Sequence, residues 1–157
     1  MINKERVQLA INVMERAGKV DMGSWHDSIA NKSEEEIRAS ELALCFAGWL
    51  VLSDEFRSTG GESCPENGIP IYKGYKSASA VAEWLGATDW HAEIVHLLVL
   101  GYLDVGSTKV ENWYTELGYE MEYDPLYDEL SIVTWNEGKW TAEDVIKVLK
   151  ALLELEV

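Results

Sequence analysis

The stretch ELALCFAGWLVL, Glu41 to Leu52, has one charge in twelve residues. An apolar run of this length is typical of a helix surrounded by other elements, because a surface helix keeps one polar face. Ser33 and Glu36 precede the run with the spacing of a capping box, and the first cluster of turn residues after it is residues 58–61. We therefore expect one helix from Ser33 to about Phe56, which from Leu42 onward is surrounded by other elements.

Helical periodicity and capping residues predict further helices around this central one. Residues 3–17 read as an amphipathic helix closed by Gly18, and residues 109–117 as a shorter helical piece. Two helices joined at Gly86 are expected over residues 77–100. Their predicted caps are Ser77 or Ser79 for the first and Thr88 for the second. A final helix is predicted after Thr141, with Trp140 and Val145 as a hydrophobic staple.

Strand signals are weaker. Residues 58–76 hold two of the three prolines, and the residues before Asn67-Gly68 do not alternate, so we expect a long loop there. YEMEY and LSIVTW alternate on either side of Asp124-Pro125, which predicts a hairpin. The expected fold is mainly α: a compact single domain over residues 1–157, a helical bundle around a buried central helix, with one small β-hairpin near the C-terminus.

The charge limits the classes of partner. Thirteen Lys and Arg face 28 Asp and Glu, for a formal net charge of -15. Such a surface repels nucleic-acid backbones and anionic membranes, so we expect neither as a direct partner. A basic protein surface is the partner that the charge favours.

Compartment and cofactor predictions follow from what the sequence offers. With two cysteines and an N-terminus that interleaves charged and apolar residues, we expect a soluble, reduced, cytoplasmic protein. The longest uncharged apolar run, 42–52, is far shorter than the roughly 20 residues that span a bilayer. We find no phosphate-binding loop, G-x-S-x-G or C-x-x-C motif, and we predict no cofactor.

Cys45 is the first candidate for chemistry. A catalytic cysteine needs a neighbouring base or a helix N-terminus to form thiolate. In the expected helix Cys45 lies between Leu44 and Phe46 and about a dozen residues beyond the N-cap, so we interpret it as a packing residue. A nucleophile and base pair with His26 or His91 stays the alternative.

The remaining templates are a metal site and a DNA-binding helical pair. His91 and His96 are five residues apart, which turns them away from each other on a helix and excludes an H-E-x-x-H site. Residues 81–98 resemble a helix-turn-helix, but no Lys or Arg occurs between Lys76 and Lys109 to contact DNA. We predict no metal site and a plain helical hairpin.

A family resemblance rests on CFAGW at residues 45–49, followed by VAEWLGAT at residues 81–88 and an apolar helix. This pattern resembles a group of small, uncharacterised proteins of actinobacteria and their phages. Those carry a C-x-A-G-W/H helix after a Cys-Gly-Thr segment, then an Ala-rich helix ending in Leu-Gly. This chain has Ser40-Glu41-Leu42 where the group often has Cys-Gly-Thr. The resemblance covers about residues 1–100 and implies a phage or mobile-element setting, with no assigned activity.

The most unusual segment is residues 110–138, with eight acidic residues, six aromatic residues and no Lys or Arg. Aromatic side chains dominate binding hot spots, while acidic groups attract a basic partner and can take the places of phosphates. The alternative is that the aromatic rings are core and the acids a solvated face. The predicted partner-binding residues are Glu111, Trp113, Glu116, Tyr119, Glu120, Glu122, Tyr123, Asp124, Tyr127, Asp128 and Glu129.

These observations favour a non-catalytic acidic accessory or inhibitory protein that binds a basic partner surface as a counter-defence factor or DNA mimic. The resemblance implies that it is phage-encoded. The alternative is a small-ligand-binding protein or a Cys/His hydrolase with a pocket near Cys45. Self-association is a third hypothesis, because seven tryptophans are many for one small core to hide.

Overall fold

The computed structural model describes residues 2–22, 25–88, 90–100, 102–103, 112–113, 115–118, 122–123, 132–133 and 140–154. Helices dominate these residues, as predicted. The α-helices are α1 (Lys4–Glu15), α2 (Glu34–Ser40), α3 (Phe46–Leu52), α4 (Asp54–Ser58), α5 (Ser77–Leu85), α6 (Trp90–Leu100) and α7 (Ala142–Glu154), and a 3-10 helix spans Asp27–Ile29. The strands are β1 (Glu62–Ser63), β2 (Pro70–Tyr72), β3 (Tyr75–Lys76), β4 (Tyr102–Leu103), β5 (Glu122–Tyr123) and β6 (Ile132–Val133).

The expected continuous helix from Ser33 to Phe56 is wrong. It begins as predicted, since Ser33 Oγ accepts a hydrogen bond from the amide of Glu36 at 3.1 Å. The Ser40 hydroxyl then donates to the carbonyl of Ile37 at 2.8 Å, and Glu41 turns the chain out of the helix at φ 60°. A serine that bonds its own backbone competes with the helix in this way.

The chain after the break runs beside residues 19–21 before it enters α3. Leu44 donates its amide to the carbonyl of Lys19, and its own carbonyl accepts from the amide of Asp21, both at 3.0 Å. The backbone of this apolar run is therefore satisfied by another segment and not by its own helix. A second interruption follows at Ser53, whose hydroxyl accepts from the amide of Phe56 and caps α4.

The burial expected of the central run is confirmed from Leu44 to Leu52 even though the helix is short, while Leu42 and Ala43 are partly buried. Every residue of α3 is buried, and the rings of Phe46 and Trp49 are fully enclosed. The helix contacts α1, α4, α5 and α6. Trp49 also donates its indole N–H to the carbonyl of Lys19 at 2.9 Å, which ties α3 to the segment after α1.

Residues 58–76 form a sheet, so the predicted loop is wrong. β1, β2 and β3 make an antiparallel sheet in that order, with Glu62 opposite Ile71 and Tyr72 opposite Tyr75. The tight turn between β2 and β3 places Lys73 and Gly74 at φ 48° and 82°, the left-handed pair that a two-residue hairpin turn requires. Strands of two or three residues are too short for an alternating pattern to show.

A second sheet lies late in the chain, in the order β4-β6-β5. Glu122 pairs with Val133 and Tyr123 with Ile132, both antiparallel, within the two stretches whose alternation predicted strands. β4 was not predicted and pairs with the other edge of β6. The predicted turn at Asp124-Pro125 lies outside the described residues.

The helices at the two ends of the described chain pack against each other. α1 is capped by Asn3, whose side chain accepts from the amide of Arg6, and α7 is capped by Thr141, as predicted. Thr141 also donates its amide to a carboxylate oxygen of Asp144 at 2.9 Å. The buried stripe of α7 contacts α1.

α5 and α6 form the predicted helical hairpin around Gly86, which has φ 69°. The N-cap of α5 is Lys76, without a side-chain hydrogen bond, so the predicted caps Ser77 and Ser79 are wrong. In the part of the chain that the structure describes, no helix has both the length and the apolar character needed to cross a membrane.

Candidate partner-binding surface

The structure describes four of the eleven predicted partner-binding residues. Trp113 and Glu116 lie in a helical turn, and Glu122 and Tyr123 form β5. The other predictions lie outside the described residues: Glu111, Tyr119, Glu120, Asp124, Tyr127, Asp128 and Glu129.

The helical turn around Trp113 separates the aromatic residue from the acid. Trp113 is 8% exposed and belongs to the hydrophobic core, whereas Glu116 is exposed. The carbonyl of Trp113 accepts a hydrogen bond from the amide of Leu117 at 3.2 Å, so the side chains of Trp113 and Leu117 share a helix face. In this structure the Trp113 ring positions the turn from inside, and Glu116 is the group that a partner could contact.

A groove of about 570 Å³ lies next to this turn, along α7 and at the end of α1. Its apolar lining is Leu117, Ile146 and Ala151, all partly exposed. Its charged lining is Glu15, Glu143, Lys147, Lys150 and Glu154, all exposed. The groove therefore combines an aliphatic floor with a charged rim.

The α7 side of the groove follows from the periodicity of its sequence. Val145, Leu149 and Leu152 point into the core, so residues on the next face of the helix border the solvent. Ile146 is only partly buried and packs at the edge of the core. That partial burial, invisible in the pattern, makes Ile146 available to a ligand.

The charges of the rim are unevenly engaged. Lys147 donates its ammonium group to the carbonyl of Leu117 at 2.6 Å, which fixes the turn against α7. Among the described residues, the carboxylates of Glu15, Glu143 and Glu154 take part in no ion pair. The rim thus carries three carboxylates against two ammonium groups, and the ammonium of Lys147 is engaged by Leu117, so a cationic group is favoured beside the carboxylates and not beside Lys150.

A different set of acids is already neutralised. Arg16, which follows α1, makes a double hydrogen bond with Glu55 of α4 and also pairs with Glu34 of α2. The guanidinium of Arg16 holds the pKa of Glu55 below its usual value, and the pair raises the pKa of Arg16. Sequence reasoning missed this cluster, since its members are 18 and 39 residues apart. Its role is to join three helices.

Cys45 is buried, as expected, but for a partly different reason. Its side chain is 5% exposed, and it is the N-cap of α3, not a residue deep inside a helix. Burial raises the pKa of the thiol, against the smaller opposing effect of the backbone N–H groups of Gly48 and Ala47. The thiol is therefore protonated and enclosed at neutral pH, which disfavours the hydrolase hypothesis.

The three histidines lie in two parts of the fold. His26 precedes the 3-10 helix, and His91 and His96 lie in α6, all partly buried. Burial lowers the pKa of His96, and the charge of Glu93 opposes this shift. Within the described ranges, no three His, Cys, Asp or Glu residues come together as a group that could hold a metal ion.

Comparison of the chain with family models, curated proteins and solved structures found no match. Function has to be inferred from the charges and surfaces of this chain.

Proposed function

We propose that this is a non-catalytic accessory or inhibitory protein that binds a basic surface of a partner protein through an acidic surface formed by residues 111–129. The partner class is a nucleic-acid-binding protein, whose basic groove the acidic groups occupy in place of phosphates. The proposed setting is a phage or mobile element, which is what the sequence resemblance implies, and the proposed target there is a host defence protein.

One observation carries the proposal. Residues 110–138 hold eight acidic residues and no Lys or Arg, in a chain of net charge -15. The described part of the segment supports an outward acidic face, because Glu116 is exposed while Trp113 is buried. A concentrated negative field increases the association rate with a positive partner by about 10- to 1,000-fold at low salt.

The ion pairs formed by acids elsewhere in the structure support the choice of this segment as the binding surface. Glu34 and Glu55 form ion pairs with Arg16, and Glu41 forms one with Lys19. No such cation exists within residues 110–138. Within the segment itself, therefore, no opposite charge offsets the attraction that its acids exert on an external cation.

The test is capture of a partner from an actinobacterial lysate at low and high salt, with charge-reversed variants. We expect the wild-type chain to retain a basic protein at about 0.05 M salt and to release it at about 1 M, where the screening length falls to about 3 Å. The variant Glu120→Lys, Glu122→Lys, Asp128→Lys should lose the partner.

The matched control reverses three exposed acids elsewhere: Glu62→Lys, Glu66→Lys and Glu83→Lys. It changes the net charge by the same amount, so it should weaken capture only slightly. Equal loss in both variants would mean that net charge alone holds the partner. Capture that ignores both salt and the first variant would remove the proposal.

A further inference from the structure

The groove beside Leu117 offers a partner something that the acidic segment lacks, an apolar floor. Ile146, Ala151 and Leu117 each keep part of their surface in contact with solvent. Elsewhere among the described residues, the large hydrophobic side chain that is mostly open to solvent is Tyr75, which lies in β3 and outside the groove. The groove is therefore a place where aliphatic side chains of a partner can leave water.

The charges along α7 are arranged in a definite order. Glu143 lies in the first turn of the helix and Glu154 in the last, while Lys147 and Lys150 lie between them. At 1.5 Å per residue the two carboxylates are about 16 Å apart along the axis, a distance that an extended peptide of about five residues spans. Glu15 of the neighbouring helix adds a third carboxylate to the rim.

The charged groups at the middle and at the ends of this face differ in whether they already have a partner. Lys147 is held by the carbonyl of Leu117, so part of its positive charge is turned to an internal acceptor. The carboxylates at the two ends have no ion pair within the described ranges. An occupant with cations at its ends and uncharged aliphatic side chains at its centre would place its positive groups at the carboxylates and none beside Lys147 and Lys150.

The geometry points to this groove as a docking site for a partner segment with an aliphatic centre and Lys or Arg at both ends. The inference rests on the proposed function, which it deepens by adding an apolar anchor to the acidic surface. A second copy of the chain is the less suitable occupant, because each copy carries a net charge of -15 and the two repel each other.

The probe is a fluorescein-labelled peptide with a leucine-rich centre and lysines at both ends. Two matched peptides replace the leucines by serine or the lysines by glutamate. Fluorescence anisotropy should give binding of the first peptide about tenfold or more tighter than the serine peptide, the ratio expected from burying one leucine side chain. The glutamate peptide should bind weakest.

The variant Ala151→Gln places a polar side chain on the floor without changing the charge. It should weaken the leucine peptide about tenfold, while Ser79→Gln, at an exposed position of α5, should leave binding unchanged. Glu154→Gln should reduce both the affinity and its dependence on salt. Circular dichroism of each variant, which should match the wild type, shows that α7 is still folded.

The outcomes separate the groove from the acidic surface. If leucine and serine peptides bind equally, or if Ala151→Gln binds as tightly as Ser79→Gln, the groove inference fails while salt-sensitive capture through residues 111–129 still stands. If the capture experiment fails while the leucine peptide still distinguishes these variants, the proposed function fails and the groove remains. A wild-type dimer that Ala151→Gln makes monomeric in sedimentation would assign the groove to a second copy and overturn the inference.

Discussion

Cys45 and Cys64 make a pair of thiols in which each serves as the control for the other. Cys45 is 5% exposed in the core, and Cys64 is only partly buried beside β1. An alkylating reagent can reach Cys45 only when the structure opens. With a free energy of unfolding of about 5 kcal/mol, the lower end for a domain, the open fraction is on the order of 10⁻⁴.

We therefore expect Cys45 in the variant Cys64→Ser to be alkylated on the order of 10⁴-fold more slowly at pH 7 than in the same chain unfolded in guanidinium. Cys64 in the variant Cys45→Ala should be alkylated at a rate much closer to its unfolded value. Mass spectrometry over time gives both rates. Because Cys45 reacts only from the open state, a shift from pH 7 to pH 8.5 should speed the native and the unfolded chain alike and leave the ratio of their rates largely unchanged.

The reasoning would be refuted by native Cys45 that reacts within a few fold of its unfolded rate. That result would show an accessible thiol and restore the hypothesis of a pocket at the start of α3. Slow reaction of both thiols would instead show that the hairpin region around Cys64 is more enclosed than its partial burial indicates.

Three further predictions concern stability. Arg16 keeps the pKa of Glu55 low, so this pair stabilises the fold above the pKa of the unfolded carboxyl, and the stabilisation is lost as pH falls through the folded pKa. Urea midpoints measured between pH 6 and about pH 3 should therefore fall more for the wild type than for Glu55→Gln, and parallel curves would contradict this. Gly61→Ala should lower the free energy of unfolding, measured in urea, by about 1–3 kcal/mol, because the added Cβ would lie 2.6 Å from Cγ of Phe56. Phe56→Leu in the same chain should recover part of the loss. A Gly61→Ala variant as stable as the wild type would contradict the packing before β1. Thr141→Ala should lose the cap of α7 and about 1 kcal/mol, seen as a lower melting temperature; an unchanged melting temperature would contradict the capping role.

The elements that could be predicted from the sequence are those with both periodicity and a cap. α1 and α7 are amphipathic over three turns or more, and Thr141 marks the start of α7 in the residue pattern itself. The turn at Gly86 was also predictable, because glycine is the residue that takes a left-handed C-cap at no steric cost.

The errors arose where periodicity carried no information. The run after Glu41 is apolar on every side, so its pattern is the same for a helix and for a buried extended segment that bonds to Lys19 and Asp21. The strands β1 and β3 have two residues each, too few to alternate. Both strands pair with β2, and the pairing with β3 crosses the two-residue turn at Lys73-Gly74, a local signal that the predicted loop overlooked.

The candidate site was predictable in part. The acidic character of residues 110–138 is a property of composition, so it needed no structure. The groove was not predictable, because it exists only where Leu117 meets α7, and the hydrogen bond that joins them links residues 30 positions apart. The inward position of Trp113 likewise depends on which neighbours cover it.

The contact between α1 and α7 also has a consequence for how the protein is made. A ribosome adds about 5–20 residues per second, so α1 leaves the exit tunnel on the order of 10 s before α7 has been translated. During that interval the apolar side of α1 that α7 later covers stays open to chaperones and proteases. The groove is completed by the same event, so a nascent chain has this groove only after α7 has been translated and has packed against α1.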